Sequence, residues 1–437
     1  MTDQKPRGTA SSNTTQAVRA FYDRYPYPPP VSNLDKYRRM WQDRDRRRAD
    51  HHLFWPAEPY RESRSVLVAG CGTSQAAKHA LRQPAARVIG IDNSSTSVRH
   101  TRELKLKYDL ENLELKQLPI ERVQELEMSF DQIVCTGVLH HLSDPDAGLG
   151  ALRGVLKPGG AMYLMVYAPY GRTGIYMLQE YCRRIGVRPS GREIRDLAAT
   201  LQALPPDHPL QRLLRESPDF QSEAVLADAL LHPQDRAYSV PQLFDFIGRG
   251  GLVFGRWLRQ APYQPLCGAI AGTPHASRLA QLSVEEQYVV MELFRGTMVR
   301  HSFIAYRDDH PGEIMPIRFD DGAWQNYVPV RLPMTIYVQE RLPHGAAAVL
   351  INQSHTDTDL YLAIDQAEVQ LFEAIDGERT IAEIVRSTGG GAREQDWANA
   401  GAFFERLWWY DQVIFDASKK PAGGHAKTSP VSSVGPV

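Results

Sequence analysis

Two glycines stand where a chain can turn around a ligand. Gly70 and Gly72 directly follow a short apolar run in the segment VAGCGTS, residues 68–74. Such a run is typical of a buried strand, and glycine lets a ligand approach the backbone at its end. The spacing departs from the GxGxxG pattern of dinucleotide sites, because Gln75 occupies the third position and would crowd a pyrophosphate. The loop alone is therefore consistent with several cofactors.

An acid at the end of the next predicted strand narrows this choice. Asp92 closes the segment RVIGID, residues 87–92. A carboxylate accepts two hydrogen bonds and can hold both hydroxyls of a ribose. The acid thus indicates an adenosine ligand, whereas the glycine spacing argues against a diphosphate. S-adenosylmethionine satisfies both conditions.

A longer segment carries a family resemblance. Residues 130–167, FDQIVCTGVLHHLSDPDAGLGALRGVLKPGGAMYLMVY, resemble the fourth-to-fifth-strand segment of class I S-adenosylmethionine-dependent methyltransferases. In that family a strand like FDxIV precedes a loop like GVLHHL, a helix starting at DP and a KPGG turn. The resemblance implies a Rossmann-like, mainly parallel α/β sheet, S-adenosylmethionine as the cofactor and methyl transfer as the activity. It argues against a nicotinamide dehydrogenase.

The resemblance also implies roles for individual residues. The methionyl part of the cofactor is expected over the glycine loop, the ribose at the acid, the adenine beside the next two segments and the sulfonium near the fourth strand. The residues for these places are Gly70, Cys71, Gly72, Asp92, Asn93, Gln117, Leu118, Thr136 and Gly137. Val68 departs from the family, which has an acid there that helps to bind the cofactor's amino group.

A tyrosine-rich segment near the N-terminus is a second candidate for cofactor contact. Some class I methyltransferases have a similar segment that folds over the cofactor. In FYDRYPYPPP, residues 21–30, the side chains of Tyr22, Tyr25 and Tyr27 offer hydroxyls and π faces, which attract a sulfonium cation. Packing of aromatic residues against prolines, without ligand contact, is the alternative interpretation.

Methyl transfer mainly requires that acceptor and methyl group be positioned. A general base is needed only where the acceptor must lose a proton. His140 and His141 are the candidate bases, with the choice between them open and a structural role of the HHL loop as the alternative. Tyr167 and Arg172 are expected to face the acceptor, and Arg172 suits an acceptor carboxylate unless it is a surface arginine.

Short apolar strands that alternate with helices predict the sheet that must position these residues. The pattern predicts four domains or segments: a helical, aromatic N-terminal segment (1–64), a methyltransferase domain (65–310) with a helical insertion (172–238), a small winged-helix-like domain (325–418) and a disordered tail (419–437).

The C-terminal part bears on the acceptor. LFEAIDGERTIAEIV and FFERLWWYDQVIF resemble small winged-helix-like domains, and the whole chain is loosely similar to multidomain bacterial protein lysine methyltransferases. The expected acceptor is a small metabolite or a protein side chain, with a protein lysine as one alternative. A protein that binds S-adenosylmethionine as a sensor and contacts a partner is the alternative from another class.

Bulk properties exclude several classes of function. The net charge is −1, so no global field favours nucleic acid or an acidic membrane surface. The four cysteines are scattered, which argues against a disulfide framework or a cysteine zinc site, and we predict no metal. The polar start resembles no signal peptide, and no apolar run suits a membrane span. We therefore expect a cytoplasmic protein without nucleic-acid or membrane partners.

Overall fold

The computed structural model describes residues 7–216, 222–314 and 316–419. A central sheet organises most of this chain, and its strands are β1 (Ser65–Ala69), β2 (Arg87–Asp92), β3 (Leu113–Gln117), β4 (Phe130–Thr136), β5 (Leu156–Tyr167), β6 (Leu252–Trp257) and β7 (Arg300–Arg307). The order across the sheet is β3-β2-β1-β4-β5-β7-β6. The first five strands run parallel, and β7 is antiparallel to both of its neighbours. The predicted Rossmann-like, mainly parallel sheet is confirmed.

Helices cover both faces of the sheet, and three helices precede its first strand in the chain. Those before the insertion are α1 (Arg7–Arg24), α2 (Asp35–Met40), α3 (Arg44–Phe54), α4 (Gln75–Arg82), α5 (Ser95–Tyr108) and α6 (Pro145–Gly154). The caps are encoded locally: the Ser94 hydroxyl accepts a hydrogen bond from the Ser97 N–H, and the Asp144 carboxylate accepts one from the Ala147 N–H. Short loops connect the strand ends to these helix caps, and their length fixes the positions of the site residues.

Two parts of the sheet differ from the sequence pattern. The KPGG segment, expected as a turn, lies inside β5, because a register shift between Phe130 and Gln132 takes up its residues. The edge strand β3 was not predicted, since LELKQ carries charged residues and only its first residue, Leu113, is fully buried.

The helical insertion builds a core of its own beside the sheet. It contains α7 (Thr173–Ile185), α8 (Gly191–Leu201), α9 (Gln211–Glu216) and α10 (Glu223–Leu231). Phe21 and Tyr25 of the N-terminal region are buried in this core together with Ile175, Ile194 and Leu226. The insertion therefore holds the N-terminal segment close to the sheet edge.

The chain returns to the sheet and then forms a C-terminal region. The remaining helices are α11 (Val240–Arg249), α12 (Ala276–Leu279), α13 (Val284–Arg295), α14 (Gln366–Glu373), α15 (Ile381–Ser387) and α16 (Glu394–Trp409), and the remaining strands are β8 (Val328–Arg331), β9 (Thr335–Val338), β10 (Ala348–Asn352), β11 (Tyr361–Ile364) and β12 (Val413–Asp416). The segment LFEAIDGERTIAEIV runs from α14 into α15, and FFERLWWYDQVIF runs from α16 into β12. Four further strands of the described region, which were not predicted, complete two small sheets. The domain boundaries given above stay predictions, and the predicted disordered tail lies almost wholly outside the described residues.

Asp411 joins the C-terminal region to the central sheet. Its carboxylate accepts hydrogen bonds from the Gln260 N–H (2.7 Å) and from Arg256 Nη2 (3.4 Å), and it lies 3.1 Å from His355 Nε2.

Among the helices that the structure describes, none combines the length and apolar character that crossing a bilayer requires.

Candidate functional site

A cavity of about 270 Å³ lies at the edge of the sheet where the parallel strands end. Its walls come from residues at or after the ends of β1, β2, β3, β4 and β5, from the first residue of β7 and from the N-terminal segment. In α/β proteins this edge is where ligands bind. The predicted site residues that line it are Tyr22, Tyr27, Gly70, Gly72, Asp92, Asn93, Leu118, Thr136, Gly137, His141 and Tyr167.

Four predicted site residues do not line this cavity. Cys71 points into the apolar core between the sheet and its helices, and the Gln117 amide donates to the Asn93 carbonyl oxygen at 3.1 Å. His140 is completely buried behind His141. Arg172 is buried as well, with its guanidinium 3.2 Å from Asp235 Oδ2 and 3.5 Å from the centre of the Tyr167 ring.

The glycine loop forms the floor of the cavity with its backbone. Gly70 has φ +68° and Gly72 has φ +53°, in the left-handed region that glycine adopts without strain. A Cβ at Gly70 would lie 2.3 Å from Val138 Cγ2, so the loop after β4 approaches the Gly70 backbone as closely as it can. These glycines are therefore required by geometry as well as by ligand access.

Asp92 faces the loop from the end of β2. Its carboxylate accepts hydrogen bonds from the backbone N–H of Gly72 (2.8 Å) and of Ser94 (2.8 Å), one at each oxygen. Each oxygen keeps a lone pair for a further donor, as two ribose hydroxyls would supply. Burial raises the pKa of the Asp92 carboxyl to about 6, although the backbone donors oppose that shift.

The N-terminal segment covers the glycine loop. The Thr73 hydroxyl donates to the Pro28 carbonyl oxygen at 2.7 Å, and the Ser94 hydroxyl donates to Asp23 Oδ1 at 2.7 Å. Tyr22 and Tyr27 consequently face the cavity. Tyr25 instead donates from its hydroxyl to the Pro189 carbonyl oxygen at 2.9 Å and packs into the insertion.

The end of the cavity away from Asp92, called the acceptor end below, is lined by aromatic rings. Tyr22, His141 and Tyr167 line it, and the ring centres of His141 and Tyr167 are 5.6 Å apart. Behind them the Tyr22 hydroxyl donates to Asp228 Oδ1 at 3.0 Å. Burial raises the pKa of the Asp228 carboxyl, while the neighbouring His141 and the Tyr22 hydroxyl act in the opposite direction.

The two adjacent histidines occupy different environments. His141 Nδ1 lies 2.7 Å from the Gln234 carbonyl oxygen. A carbonyl only accepts, so Nδ1 carries the proton and Nε2 keeps a lone pair. Burial, and then the charge of His141, lower the pKa of His140 well below its usual value. Of these two histidines, His141 is the one that combines a place in the cavity wall with a defined basic nitrogen.

Asp228 and His232 also lie close enough to His141 to suggest a metal-binding group. The Gln234 N–H, however, donates to His232 Nδ1 at 3.1 Å. That bond leaves the proton of neutral His232 on Nε2, whereas a metal requires an unprotonated nitrogen. The tautomer of His232 therefore suits a hydrogen-bond donor better than a metal ligand.

Several residues in or behind the wall were not among the predicted site residues. Gln75 and Met165 line the cavity, as does Arg300 at the start of β7, and Asp228 supports Tyr22. Asp228 carried a readable signal, since it is the one acid inside the otherwise apolar stretch AVLADALL. Gln75 directly follows the glycine loop, and Met165 lies two residues before Tyr167 on the same strand. Arg300 had no local signal, because its position depends on how distant strands pair.

Known proteins show where this chain belongs. Residues 67–162 match the family model described as a methyltransferase domain. An uncharacterized protein of Synechococcus sp. is 30% identical over 308 residues, which cover 68% of this chain and 73% of that protein. The ubiquinone biosynthesis O-methyltransferase of Acinetobacter baumannii is 30% identical over 101 residues, 23% of this chain and 42% of the enzyme.

A solved structure extends the likeness to the whole fold. PKMT2 from Rickettsia typhi, in complex with AdoHcy, superposes on this chain with a TM-score of 0.62 at 18% identity. The aligned region covers 89% of this chain and 77% of the PKMT2 chain. The free lone pairs of Asp92 and the backbone floor at Gly70 and Gly72 fit the predicted cofactor, S-adenosylmethionine, which is confirmed. The chain belongs to the class I S-adenosylmethionine-dependent methyltransferases.

Proposed function

We propose that the acceptor of the methyl group is an amine that enters the cavity as an ammonium ion. The observation that carries this proposal is Asp228, a buried carboxylate that is hydrogen-bonded to Tyr22 at the acceptor end. A buried negative charge is costly unless a cation or donors compensate it. An ammonium ion beside Tyr22 supplies that compensation.

The aromatic rings support the same acceptor chemistry. Tyr22 and Tyr27 line the cavity, and the faces of such rings attract cations. Arg172 does not oppose this attraction, because its charge is paired with Asp235. The acceptor end therefore favours a positive ligand through both a carboxylate and ring faces.

His141 is the base in this proposal. An ammonium acceptor has no lone pair, so one N–H proton must leave, and Nε2 of His141 accepts it. The freed amine nitrogen forms a bond to the methyl carbon. The cofactor supplies that methyl group on a positively charged sulfur, which keeps the electron pair of the broken carbon–sulfur bond. The product is a methylated ammonium.

Two sources of such an amine are a protein lysine and a small metabolite. The likeness to PKMT2 covers most of the chain and supports a common architecture with that protein. A second candidate is methylation of a hydroxyl, favoured by the match to the ubiquinone biosynthesis O-methyltransferase. All four cysteines are free and buried, which supports a reducing, cytoplasmic location as part of the proposal.

The test is transfer of labelled methyl from S-adenosylmethionine to n-butylamine and to lysate fractions. We expect label in n-butylamine or in protein lysine. Asp228→Asn should reduce this transfer roughly ten- to a hundredfold, since it removes a charge-assisted interaction. S-adenosylhomocysteine should bind the variant with unchanged affinity in calorimetry.

Asp245→Asn on α11 is the matched control, because Asp245 is exposed and away from the cavity. It should transfer at the wild-type rate. Label found only in phenolic or alcohol products, together with an Asp228→Asn variant as active as wild type, would reject the amine and leave the methyltransferase activity standing.

A further inference from the structure

Arg300 is a positive charge in the wall of a cavity whose other charged groups are mainly acids. It is the first residue of β7, its side chain is exposed and it lines the cavity together with Met165 and Tyr167. Among the residues that the structure describes, no carboxylate lies within 4.0 Å of its guanidinium. An arginine in a ligand cavity without a protein carboxylate is available for a ligand anion.

A second arginine lies beside it. Arg259 follows β6, next to the start of β7, and it too forms no ion pair within the described part of the chain. Burial, and then the positive charge of Arg300, lower the pKa of Arg259. The two guanidinium charges repel one another, and an anion bound between them would offset that repulsion.

The pairing of the strands places Arg300 on a defined face of the sheet. Thr136 pairs with Met165, and Tyr167 pairs with Arg300. Directly paired residues, and residues two apart on one strand, point to the same face. The side chains of Thr136, Met165 and Arg300 therefore lie on one face, the face on which the Thr136 hydroxyl donates to Gln75 Oε1 at 3.0 Å.

The order of strands also sets the direction of the cofactor. With strands ~4.8 Å apart, β4 is about 10 Å and β7 about 19 Å from β2 in the order β2-β1-β4-β5-β7. An adenosine held by Asp92 at β2 directs the amino-acid end of the cofactor across β1 towards β4 and β5. There Gln75 Oε1 has a second lone pair for an ammonium group. A long arginine side chain from β7 meets that end from the opposite side.

We propose that Arg300, supported by Arg259, is the carboxylate-binding residue of this cavity. The carboxylate belongs to the amino-acid end of the cofactor or to the acceptor, and the order of strands favours the cofactor. Gln75 then takes the role of the acid that Val68 replaces. This proposal rests on the shown methyltransferase function and does not depend on the amine acceptor.

The test compares two adenosine ligands in calorimetry. S-adenosylhomocysteine has the amino-acid end, and 5′-methylthioadenosine lacks it. For Arg300→Ala we expect S-adenosylhomocysteine to bind roughly ten- to a hundredfold more weakly, the range for a lost charge-assisted pair, and 5′-methylthioadenosine to bind as in wild type. Arg259→Ala should show a smaller loss of the same kind, and Arg300→Lys a partial recovery.

A second arm identifies the other source of the carboxylate. If the group belongs to the acceptor, Arg300→Ala binds S-adenosylhomocysteine normally, and acetate raises the melting temperature of the S-adenosylhomocysteine complex of wild type but not of the variant. Arg99→Ala, an exposed arginine on α5 outside the cavity, is the matched control and should match wild type in both arms.

Each remaining outcome is decisive. Unchanged ligand affinities together with an equal acetate response in wild type and Arg300→Ala would overturn the assignment of Arg300. Failure of wild type to bind either adenosine ligand would instead contradict the cofactor site itself, so the two failures are distinguishable.

Discussion

The two ends of the cavity are built in different ways. The adenosine end uses backbone groups and one acid from residues 70–94, with the Asp92 carboxylate tied to the Gly72 and Ser94 N–H groups. The acceptor end joins Tyr22, His141, Tyr167 and Asp228, which come from four separate segments. One end is therefore a local structure, whereas the other depends on tertiary packing.

This difference predicts how each end responds to change. At the local end, a substitution alters the backbone path and so affects cofactor affinity. At the assembled end, a substitution removes one side chain from a group held by many packing contacts, so that transfer is affected while cofactor affinity remains. Variants at both ends, measured for S-adenosylhomocysteine affinity and for methyl transfer, separate the two effects.

The largest effect is expected at the assembled end. His141→Gln should lower kcat for an amine by about 10² to 10⁴, the usual contribution of a general base, with unchanged affinity for S-adenosylhomocysteine. His140→Gln, with folding verified by thermal melting, should keep most of the rate. An equal loss in both variants would mean that the loop, and not a base, is what matters.

The next effect tests the local end. Gly70→Ala places a Cβ 2.3 Å from Val138 Cγ2 at φ +68°, so the loop must shift. A left-handed alanine alone costs ~1–2 kcal/mol, and we expect roughly ten- to a hundredfold weaker binding of S-adenosylhomocysteine. Adding Val138→Ala should restore part of the affinity. Gly150→Ala on α6, where a Cβ meets nothing within 4 Å, is the control, and a similar loss there would refute the steric argument.

The same contrast decides what could be read from the sequence. Gly70, Gly72 and Asp92 were predicted because glycine and acid stand at strand ends, where the consequence of residue type is local. Arg300 was missed because its place in the wall follows from pairing with Tyr167, 133 residues earlier in the chain. No pattern near Arg300 encodes that pairing.

Two predicted site residues lie outside the cavity wall for the same reason. Cys71 lies in the expected glycine loop and Gln117 ends strand β3, but the direction of each side chain depends on the backbone rotation at its position, which puts Cys71 in the core and Gln117 against Asn93. In the fold, the buried strands of the central sheet were recognised from apolar runs. The edge strand β3 and strand β9 were not, because their partly exposed residues do not form such runs. Strand β10 does contain a buried apolar run, and it was overlooked.

A third prediction concerns pH at the local end. Burial raises the pKa of Asp92 to about 6, so protonation near that pH competes with the ribose hydroxyls for the carboxylate. Since binding favours the charged form, affinity for S-adenosylhomocysteine should fall as pH drops below about 6, by up to about tenfold per pH unit. The ligand 5′-methylthioadenosine should show the same slope, and Asp92→Asn should bind weakly without it. Constant wild-type affinity from pH 7 to 5 would contradict this role.

The smallest effect is expected from Tyr22→Phe, which tests the hydrogen bond between Tyr22 and Asp228 at the assembled end. Tyr22→Phe keeps the ring in the cavity wall but removes the hydroxyl that donates to Asp228 at 3.0 Å. That hydrogen bond lowers the pKa of Asp228, so its loss favours the neutral acid and weakens attraction for an ammonium. We expect methyl transfer to n-butylamine to fall roughly two- to tenfold, the range for one hydrogen bond, with unchanged affinity for S-adenosylhomocysteine.

Tyr25→Phe is the matched control, because the Tyr25 hydroxyl bonds to Pro189 inside the insertion and its ring does not line the cavity. If both variants lose transfer equally, the tyrosines act by holding the N-terminal segment in place. If only Tyr22→Phe loses transfer, the loss should become smaller as pH rises, because Asp228 then ionises without the hydroxyl. That result would show that the Tyr22 hydroxyl acts by keeping Asp228 charged. The pH dependence is the sharper criterion, since a packing defect would not recover with ionisation.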